Sequence, residues 1–318
     1  MTEHEQTSVA FEALRLLRAC VATTALFLSG FFLPFGGPVL MLLTPQPGLR
    51  LYRQVHSGRL LLLAALVAGT TGLVGGVVLG IAYALSFGLL TVMLPLVLER
   101  EWSIEVTVGV TTAAVSAAIL AAALCFASPP DLLLALRTTL ERVHDEAVAV
   151  YARSGLAADI VHQLDEGSAR LVDLVLRLTP ALFLLSIAAV MLLNLSLLRR
   201  SQRAGGLAPV FGDLTRWKCP PELVWLLVAG GYSTVLSGGV IGWFAANVFA
   251  VLLAIYFCQG LVIAQFYMRL WRSPLWVVGL VYAFIVVEWL VATAVMLVGV
   301  FDLWADFRRL NPRPVVED

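Results

Sequence analysis

Long apolar runs separated by short polar stretches make up most of the chain. Crossing the hydrocarbon core of a bilayer takes about 20 apolar residues in a helix, so each run of this length is a candidate span. The run over residues 60–98 has about twice that length and predicts a hairpin of two helices. The pattern predicts an all-α polytopic membrane protein with about eight transmembrane helices. The expected spans cover residues 20–43, 60–98 (two spans), 106–127, 178–198, 223–240, 243–265 and 274–300.

The composition makes lipid the solvent for most of this apolar surface. Hydrophobic residues are 60% of the chain and charged residues 13%, with a mean hydropathy of +0.91, whereas soluble domains carry about 25% charged residues. A chain of 318 residues cannot hide that much apolar surface from water. The net charge of zero excludes a global basic field for nucleic acid. Membrane lipids are therefore the first expected partners.

Residues 128–177 break the apolar pattern, because they carry thirteen of the forty-two charged residues of the chain. Leu133, Leu136 and Leu140 recur at helical spacing, with opposite charges one helical turn apart between them. This combination predicts amphipathic extramembrane helices that turn near residues 154–155. The predicted organisation is an N-terminal tail (1–18), N-terminal membrane helices (19–127), the amphipathic segment (128–177), C-terminal membrane helices (178–300) and a C-terminal tail (301–318).

Small residues recur every fourth position in the predicted hairpin, at Gly72, Gly76, Gly80, Ala84 and Gly88. Such a ridge lets the backbones of two helices approach closely. It would serve either as a sliding or dimerising face or for tight packing inside one subunit, and the second use is the commoner. The turn of the hairpin must interrupt the ridge somewhere, at a position that the sequence does not fix to better than a few residues.

Among the polar side chains within the predicted C-terminal spans, Asn247, Gln259 and Glu288 are the candidates for an intramembrane site. Polar groups are expensive in hydrocarbon. They would form either a functional polar site, together with Tyr232 and Tyr256, or interhelical hydrogen bonds worth about 0.6 to 2 kcal/mol each. The amides fit the packing interpretation better, since such groups readily join helices. Glu288 fits a functional interpretation better, and a carboxylate near mid-span must face other helices, a cavity or a donor, with Gln259 or Asn247 as the expected neighbours.

Three stretches carry a resemblance to a known family: "RWKCPPELVW" (216–225), "YFCQGLVIAQF" (256–266) and "FDLWADFRRL" (301–310). Their order and spacing resemble the YybS-like family of bacterial multi-spanning membrane proteins, a domain of unknown function, most clearly from Pro180 onward. The resemblance implies a multi-pass protein of the bacterial cytoplasmic (inner) membrane and carries over no catalytic residue. At the level of fold, the early half is similar to the substrate-binding subunits of energy-coupling-factor vitamin transporters, which does not establish function. The stretches also supply a candidate interface motif of Trp217, Pro220, Pro221, Asp302, Trp304, Asp306 and Arg308.

Nothing in the sequence points to catalysis. It contains no P-loop, G-x-G-x-x-G, H-E-x-x-H or G-x-S-x-G motif. An E-x-x-H element at Glu141 and His144 lies among solvated charges, and we expect no metal, no cofactor and no enzyme activity. The favoured function is a transporter-like or small-molecule-binding membrane subunit with a polar interior site, whose ligand the sequence does not identify. The alternative is a non-catalytic membrane scaffold or assembly protein that recruits membrane or cytoplasmic proteins through its amphipathic segment and basic loops.

Overall fold

Helices make up the regular structure of the chain. The computed structural model describes residues 3–34, 36–53, 57–153, 158–206 and 210–309, with side chains described from residue 12 onward except at 57, 151 and 158–169. No strand occurs within these ranges, so the predicted all-α polytopic fold is confirmed. The helices are α1 (Glu3–Phe32), α2 (Gly37–Met41), α3 (Gln46–Leu51), α4 (Ser57–Gly75), α5 (Val77–Tyr83), α6 (Leu89–Leu98), α7 (Ile104–Phe126), α8 (Pro129–Arg153), α9 (Ala158–Ala204), α10 (Leu223–Leu236), α11 (Gly239–Leu270), α12 (Leu275–Val287) and α13 (Trp289–Ala305), with a π-helical turn at Ala84–Gly88 and a 3₁₀ turn at Leu214–Arg216.

Among the described residues, six helical segments are long and apolar enough to cross a membrane, or up to seven if α12 and α13 form one span. The sequence predicted about eight, and the difference lies in α10 and in the last predicted span. Helix α10 has 14 residues and extends about 21 Å, which is shorter than a hydrocarbon core of about 30 Å. The last predicted span is bent by 102° between α12 and α13. The six segments are Glu12–Phe32, Gly58–Gly75, Val77–Leu98, Ile104–Phe126, Arg170–Ala204 and Gly239–Leu270.

The charged segment at 128–177 is helical wherever the structure describes it, in α8 and the first part of α9. The predicted turn at residues 154–155 lies outside the described residues. Helix α9 then runs without interruption through the predicted boundary at residue 177, so one helix carries both the charged segment and the next apolar run. An extramembrane position for the charged part stays a prediction.

The chain forms two compact units, Met1–Leu132 with Ser186–Phe211 and Leu133–Leu185 with Gly212–Asp318. In the first unit, Phe27, Val67 and Tyr83 form a buried core among α1, α4 and α5. A second core in this unit joins α3, α6, α7 and the end of α9 through Leu49, Leu90, Leu94, Val115, Met191, Leu195 and Leu198.

The glycine ridge packs the α4–α5 hairpin tightly within the first unit. Gly76 has φ +91° and makes the turn, a conformation that glycine adopts without strain. A Cβ atom on Gly80 would lie 2.6 Å from the carbonyl oxygen of Ala68 and 3.0 Å from Cα of Gly72. This is the packing use that was preferred from the sequence, with the turn now placed at Gly76.

Glycine also sets the closest helix crossing in the second unit, between α11 and α13. A Cβ atom on Gly260 would overlap the carbonyl oxygen of Val295, and one on Gly299 would overlap the carbonyl oxygen of Tyr256. The two backbones are therefore in direct contact. Gln259 lies beside Gly260, and the crossing brings its side chain to the last turn of α13.

Candidate functional site

A fully buried ion pair lies where α13 ends. Arg308 Nη2 donates to Asp302 Oδ2 at 2.8 Å, and both side chains have a relative exposure of 0%. The chain reverses after Ala305 because Asp306 adopts the left-handed conformation, with φ 41°, and Phe307 N donates to Asp302 Oδ1 at 3.0 Å. A carboxylate in the last turn of a helix faces the negative end of the helix dipole, so the guanidinium compensates an otherwise unfavourable position.

Gln259 joins this ion pair to two other segments. Its Nε2 donates to Asp302 Oδ2 at 3.0 Å, and its Oε1 accepts a hydrogen bond from the backbone N–H of Cys219 at 2.9 Å. The Gln259 side chain is buried, and both ends of the amide are satisfied, as burial requires. One amide therefore connects α11, α13 and the segment before α10.

The segment before α10 is held on the end of α13 by two cations. Arg308 Nη1 donates to the carbonyl oxygens of Thr215 and Trp217, each at 2.8 Å. Lys218 Nζ donates to Asp306 Oδ1 at 2.6 Å, and both side chains are partly buried. Lys218 is the one lysine in the sequence. We call Gln259, Asp302, Arg308, Lys218 and Asp306 the polar cluster.

Asp213 ties the same segment to the end of α11. Partial burial raises the pKa of its carboxyl group, but hydrogen bonds from Thr215 and the charge of Arg269 outweigh this and lower the pKa below its ordinary value. Arg269 Nη1 donates to Asp213 Oδ1 at 2.9 Å, and both side chains are exposed. The ion pair is therefore weaker than the buried one at Asp302.

A cavity of about 300 Å³ opens beside the polar cluster. Its volume is at the lower limit for small-molecule sites. It presents a cation, a carboxylate and an amide, at Lys218, Asp302 and Gln259. Among the residues that the structure describes, no group of three or more His, Cys, Asp or Glu side chains could hold a metal ion. The remaining wall is formed by Cys219, Pro220, Pro221, Tyr256 and Leu303.

The polar cluster and the cavity wall contain residues from two separate sequence predictions, the intramembrane site and the interface motif. Gln259 and Tyr256 come from the predicted intramembrane site, and Asp302 and Arg308 come from the predicted interface motif. Asp306 of the same motif belongs to the cluster, Pro220 and Pro221 line the cavity, and Trp217 contributes its carbonyl oxygen. Trp304 and Tyr232 are exposed and lie outside the cavity wall.

Lys218 and Cys219 were missed by sequence reasoning, although both lie within the quoted stretch "RWKCPPELVW". The sequence did offer one indication of Lys218, because it is the single lysine among the 21 basic residues of the chain. Cys219 contributes through its backbone N–H, and a backbone group leaves no signal in side-chain chemistry.

Asn247 has a packing role at a proline within α9. Its Oδ1 accepts from Ala181 N at 2.8 Å, and its Nδ2 donates to the carbonyl oxygens of Arg177 and Trp243, each at 2.9 Å. Ala181 N and the Arg177 carbonyl are the two groups that pair with each other in an undisturbed helix. Pro180 disturbs this turn, and the Asn247 amide satisfies both groups.

The structure does not place Glu288 in the bundle interior beside Gln259 or Asn247. Its side chain is exposed, and both amides bond elsewhere. Glu288 has φ −96° and ψ 106° and separates α12 from α13 at the 102° bend. The expected placement assumed one straight span, and the bend removes that assumption.

One comparison with known proteins gives a match. The model of a family described as "Predicted membrane protein (DUF2232)" matches residues 21–303, which confirms the resemblance to a membrane family of unknown function. The match includes every residue that lines the cavity and ends just before Asp306 and Arg308. No curated protein and no solved structure matches the chain.

Proposed function

Because the chain belongs to the DUF2232 family of predicted membrane proteins, we propose that it is a multi-pass subunit of the bacterial cytoplasmic membrane that binds a small polar solute in the cavity beside the polar cluster. The observation that carries the proposal is the fully buried Asp302–Arg308 pair next to this cavity. The subunit is transporter-like in the sense that it presents a polar binding site within a helical membrane protein. The proposal includes no catalytic step.

The chemistry of the cavity favours a solute with both an acceptor and a donor group. The Lys218 ammonium donates one hydrogen bond to Asp306, and its other N–H groups can donate to a ligand. Asp302 Oδ1 accepts from Phe307 N and retains acceptor capacity. Opposite charges on one wall suit a small zwitterion, such as an amino acid, better than a simple ion of either sign.

The cost of the buried pair also supports a function beyond packing. Replacing a buried ion pair with apolar side chains of similar size is often neutral or stabilising. A membrane bundle that needed only a helix contact at Gly260 and Gly299 would hold without these charges. Asp302 belongs to the cavity wall, and Arg308 behind it holds the carboxylate in place, which gives the pair a use beyond packing.

The scaffold alternative rests on a different observation, the exposed apolar side chains of α8. Leu133, Leu134, Val143 and Val150 are all exposed on this helix. An amphipathic helix with exposed apolar side chains is suited to recruiting a membrane or cytoplasmic protein. This alternative predicts loss of function when α8 is made polar, whereas the binding proposal predicts loss of function when the cavity changes.

The single lysine makes the binding proposal directly testable. Purified protein in lipid nanodiscs is screened by thermal unfolding against small amino acids, amines and carboxylates, and each stabilising solute is retested with an amine-reactive label. A solute in the cavity should slow labelling of Lys218 relative to the N-terminal amine. Lys218→Met should abolish the thermal shift, while Arg142→Gln, a neutralisation on exposed α8, should keep it. Equal shifts in wild type and Lys218→Met would contradict the proposal.

A further inference from the structure

A second and larger cavity lies in a groove between α8 and α9. It has a volume of about 510 Å³, and Trp243 of α11 also lines it. Its sides are apolar at Leu133, Leu134 and Leu176, and three charged residues, Arg137, Asp173 and Arg177, complete the wall. We call it the α8–α9 groove. It combines an apolar floor, formed by the three leucines, with a charged rim.

The arginines of the rim are not equivalent. Arg137 donates from Nε to Glu141 Oε1 at 3.0 Å and from Nη2 to Asp173 Oδ1 at 3.3 Å, so two carboxylates already neutralise it. Arg177 is exposed, and no carboxylate among the described residues pairs with its guanidinium. An exposed guanidinium can bind an anion with oxygen acceptors in a bidentate manner.

The sequence around Arg177 has the pattern expected of a headgroup region. On its N-terminal side α9 carries alternating charges, and on its C-terminal side the apolar run of residues 178–198 begins. Trp243 borders the same groove, and tryptophan is enriched at the boundary between headgroups and hydrocarbon. The Asn247 amide donates to the backbone carbonyls of both Arg177 and Trp243. The backbones that carry the cation and the ring are therefore held close to each other.

The exposed leucines of the groove require an apolar group to cover them. Leu133 and Leu134 are 51% and 62% exposed, although they lie beside charged residues that keep this part of α8 out of the hydrocarbon centre. An acyl chain laid along the leucines would cover them. An occupant with one anionic head and an apolar tail satisfies both parts of the groove.

We propose that the α8–α9 groove binds one anionic phospholipid, with its phosphate on Arg177 and an acyl chain along Leu133, Leu134 and Leu176. Phosphatidylglycerol has this chemistry. The proposal is independent of the solute site, because it uses none of the polar-cluster residues. The lipid would join α8 to the first turns of the apolar part of α9.

Native mass spectrometry of the detergent-solubilised protein tests the proposal. The protein is titrated with phosphatidylglycerol and, separately, with phosphatidylcholine of the same acyl chains. Wild type should hold one phosphatidylglycerol more tightly than phosphatidylcholine. Arg177→Gln should weaken phosphatidylglycerol about fivefold, since one basic contact at a lipid surface contributes about 1 kcal/mol, and should weaken phosphatidylcholine less, because the choline group of that lipid offsets the charge of its phosphate. Arg142→Gln removes an exposed arginine of α8 outside the groove and should behave as wild type.

Two further variants separate the headgroup contact from the acyl contact. Arg177→Lys keeps the charge and should retain most of the preference, which also guards against a folding defect in Arg177→Gln. Leu134→Ser should weaken both lipids alike. Inorganic phosphate should not displace the bound lipid at matched concentration.

Three outcomes would overturn the proposal. One is an unchanged lipid preference in Arg177→Gln. Another is displacement by phosphate alone, which would assign the site to a soluble anion. The third is a change in the monomer–dimer ratio of Arg177→Gln without a change in bound lipid, which would assign the groove to a second copy of the chain.

Discussion

Gln259 Nε2 donates to Asp302 Oδ2 at 3.0 Å across the point where α11 and α13 touch. The residue that follows Gln259 is Gly260, and Gly299 lies three residues before Asp302, so each polar side chain has a glycine beside it at the crossing. The backbones must touch for the amide to reach the carboxylate. The close crossing and the polar cluster are therefore one arrangement, and a change to either should disturb the other.

Gly299→Ala should destabilise the second unit by forcing α13 away from α11. Its new Cβ would overlap the carbonyl oxygen of Tyr256, a backbone atom that cannot move aside alone. Overpacking of this kind costs about 1–3 kcal/mol, which thermal unfolding in detergent would register as a lower Tm. Gly109→Ala is the matched control, because nothing lies within 4 Å of a Cβ there. A Tm for Gly299→Ala equal to that of the control would refute the close crossing.

Arg308→Met should be more harmful than the loss of an ordinary surface charge. It leaves the Asp302 carboxylate buried without its cation, a change that costs about 3–5 kcal/mol. Asp302→Leu combined with Arg308→Met should recover part of this loss, because no orphaned charge remains. The recovery will be incomplete, since Gln259 and the Phe307 N–H lose their acceptor.

The neighbouring arginine provides the control for this double-mutant cycle. Arg309 is exposed, and Arg309→Met should change the Tm little. Additive effects of the Asp302 and Arg308 substitutions would mean that the two residues do not interact, contrary to the structure.

Asp213 should make the stability of the segment before α10 depend on acid pH. Its folded pKa is lowered from an ordinary value of 3.8, so its stabilising contribution is present above that value and is lost as the pH falls through the folded pKa. The Tm difference between wild type and Asp213→Asn should therefore shrink below a pH of about 3.8. Arg269→Gln should reduce the difference at neutral pH. A Tm difference that grew on acidification would contradict the assigned sign.

The fold class followed from the sequence because lipid imposes a simple rule on it. Helices that span a bilayer satisfy their own backbone hydrogen bonds and expose apolar side chains, so long apolar runs translate directly into helices such as α7. Length alone does not show where such a run bends. Residues 274–300 read as one span, yet the structure breaks them at Glu288.

The sequence identified several residues of the candidate site but did not predict that they lie together. Gln259 and Asp302 are 43 residues apart and entered two different hypotheses, one about an intramembrane pocket and one about an interface. Their meeting depends on the glycine crossing, and the left-handed turn at Asp306 then brings Arg308 to the same carboxylate. Periodicity reports neither, because both are properties of paired backbones rather than of one helix face.

Asn247→Leu should destabilise the second unit at Pro180. The substitution removes the acceptor of Ala181 N and a donor to the Arg177 carbonyl, and neither group regains its helical partner while proline distorts the turn. Interhelical hydrogen bonds of this kind are worth about 0.6 to 1.7 kcal/mol, so the Tm should fall measurably.

Pro180→Ala distinguishes this role from simple packing of the Asn247 side chain. With alanine at position 180 the turn is free to close, and Ala181 N can donate to the Arg177 carbonyl within α9. Asn247→Leu should then cost less in the Pro180→Ala background than in wild type, and thermal unfolding of the four proteins measures the difference as a coupling free energy. An equal cost in both backgrounds would show that Asn247 acts independently of the proline. It would also remove the argument that one amide fixes Arg177 and Trp243 at the groove where a lipid is proposed to bind.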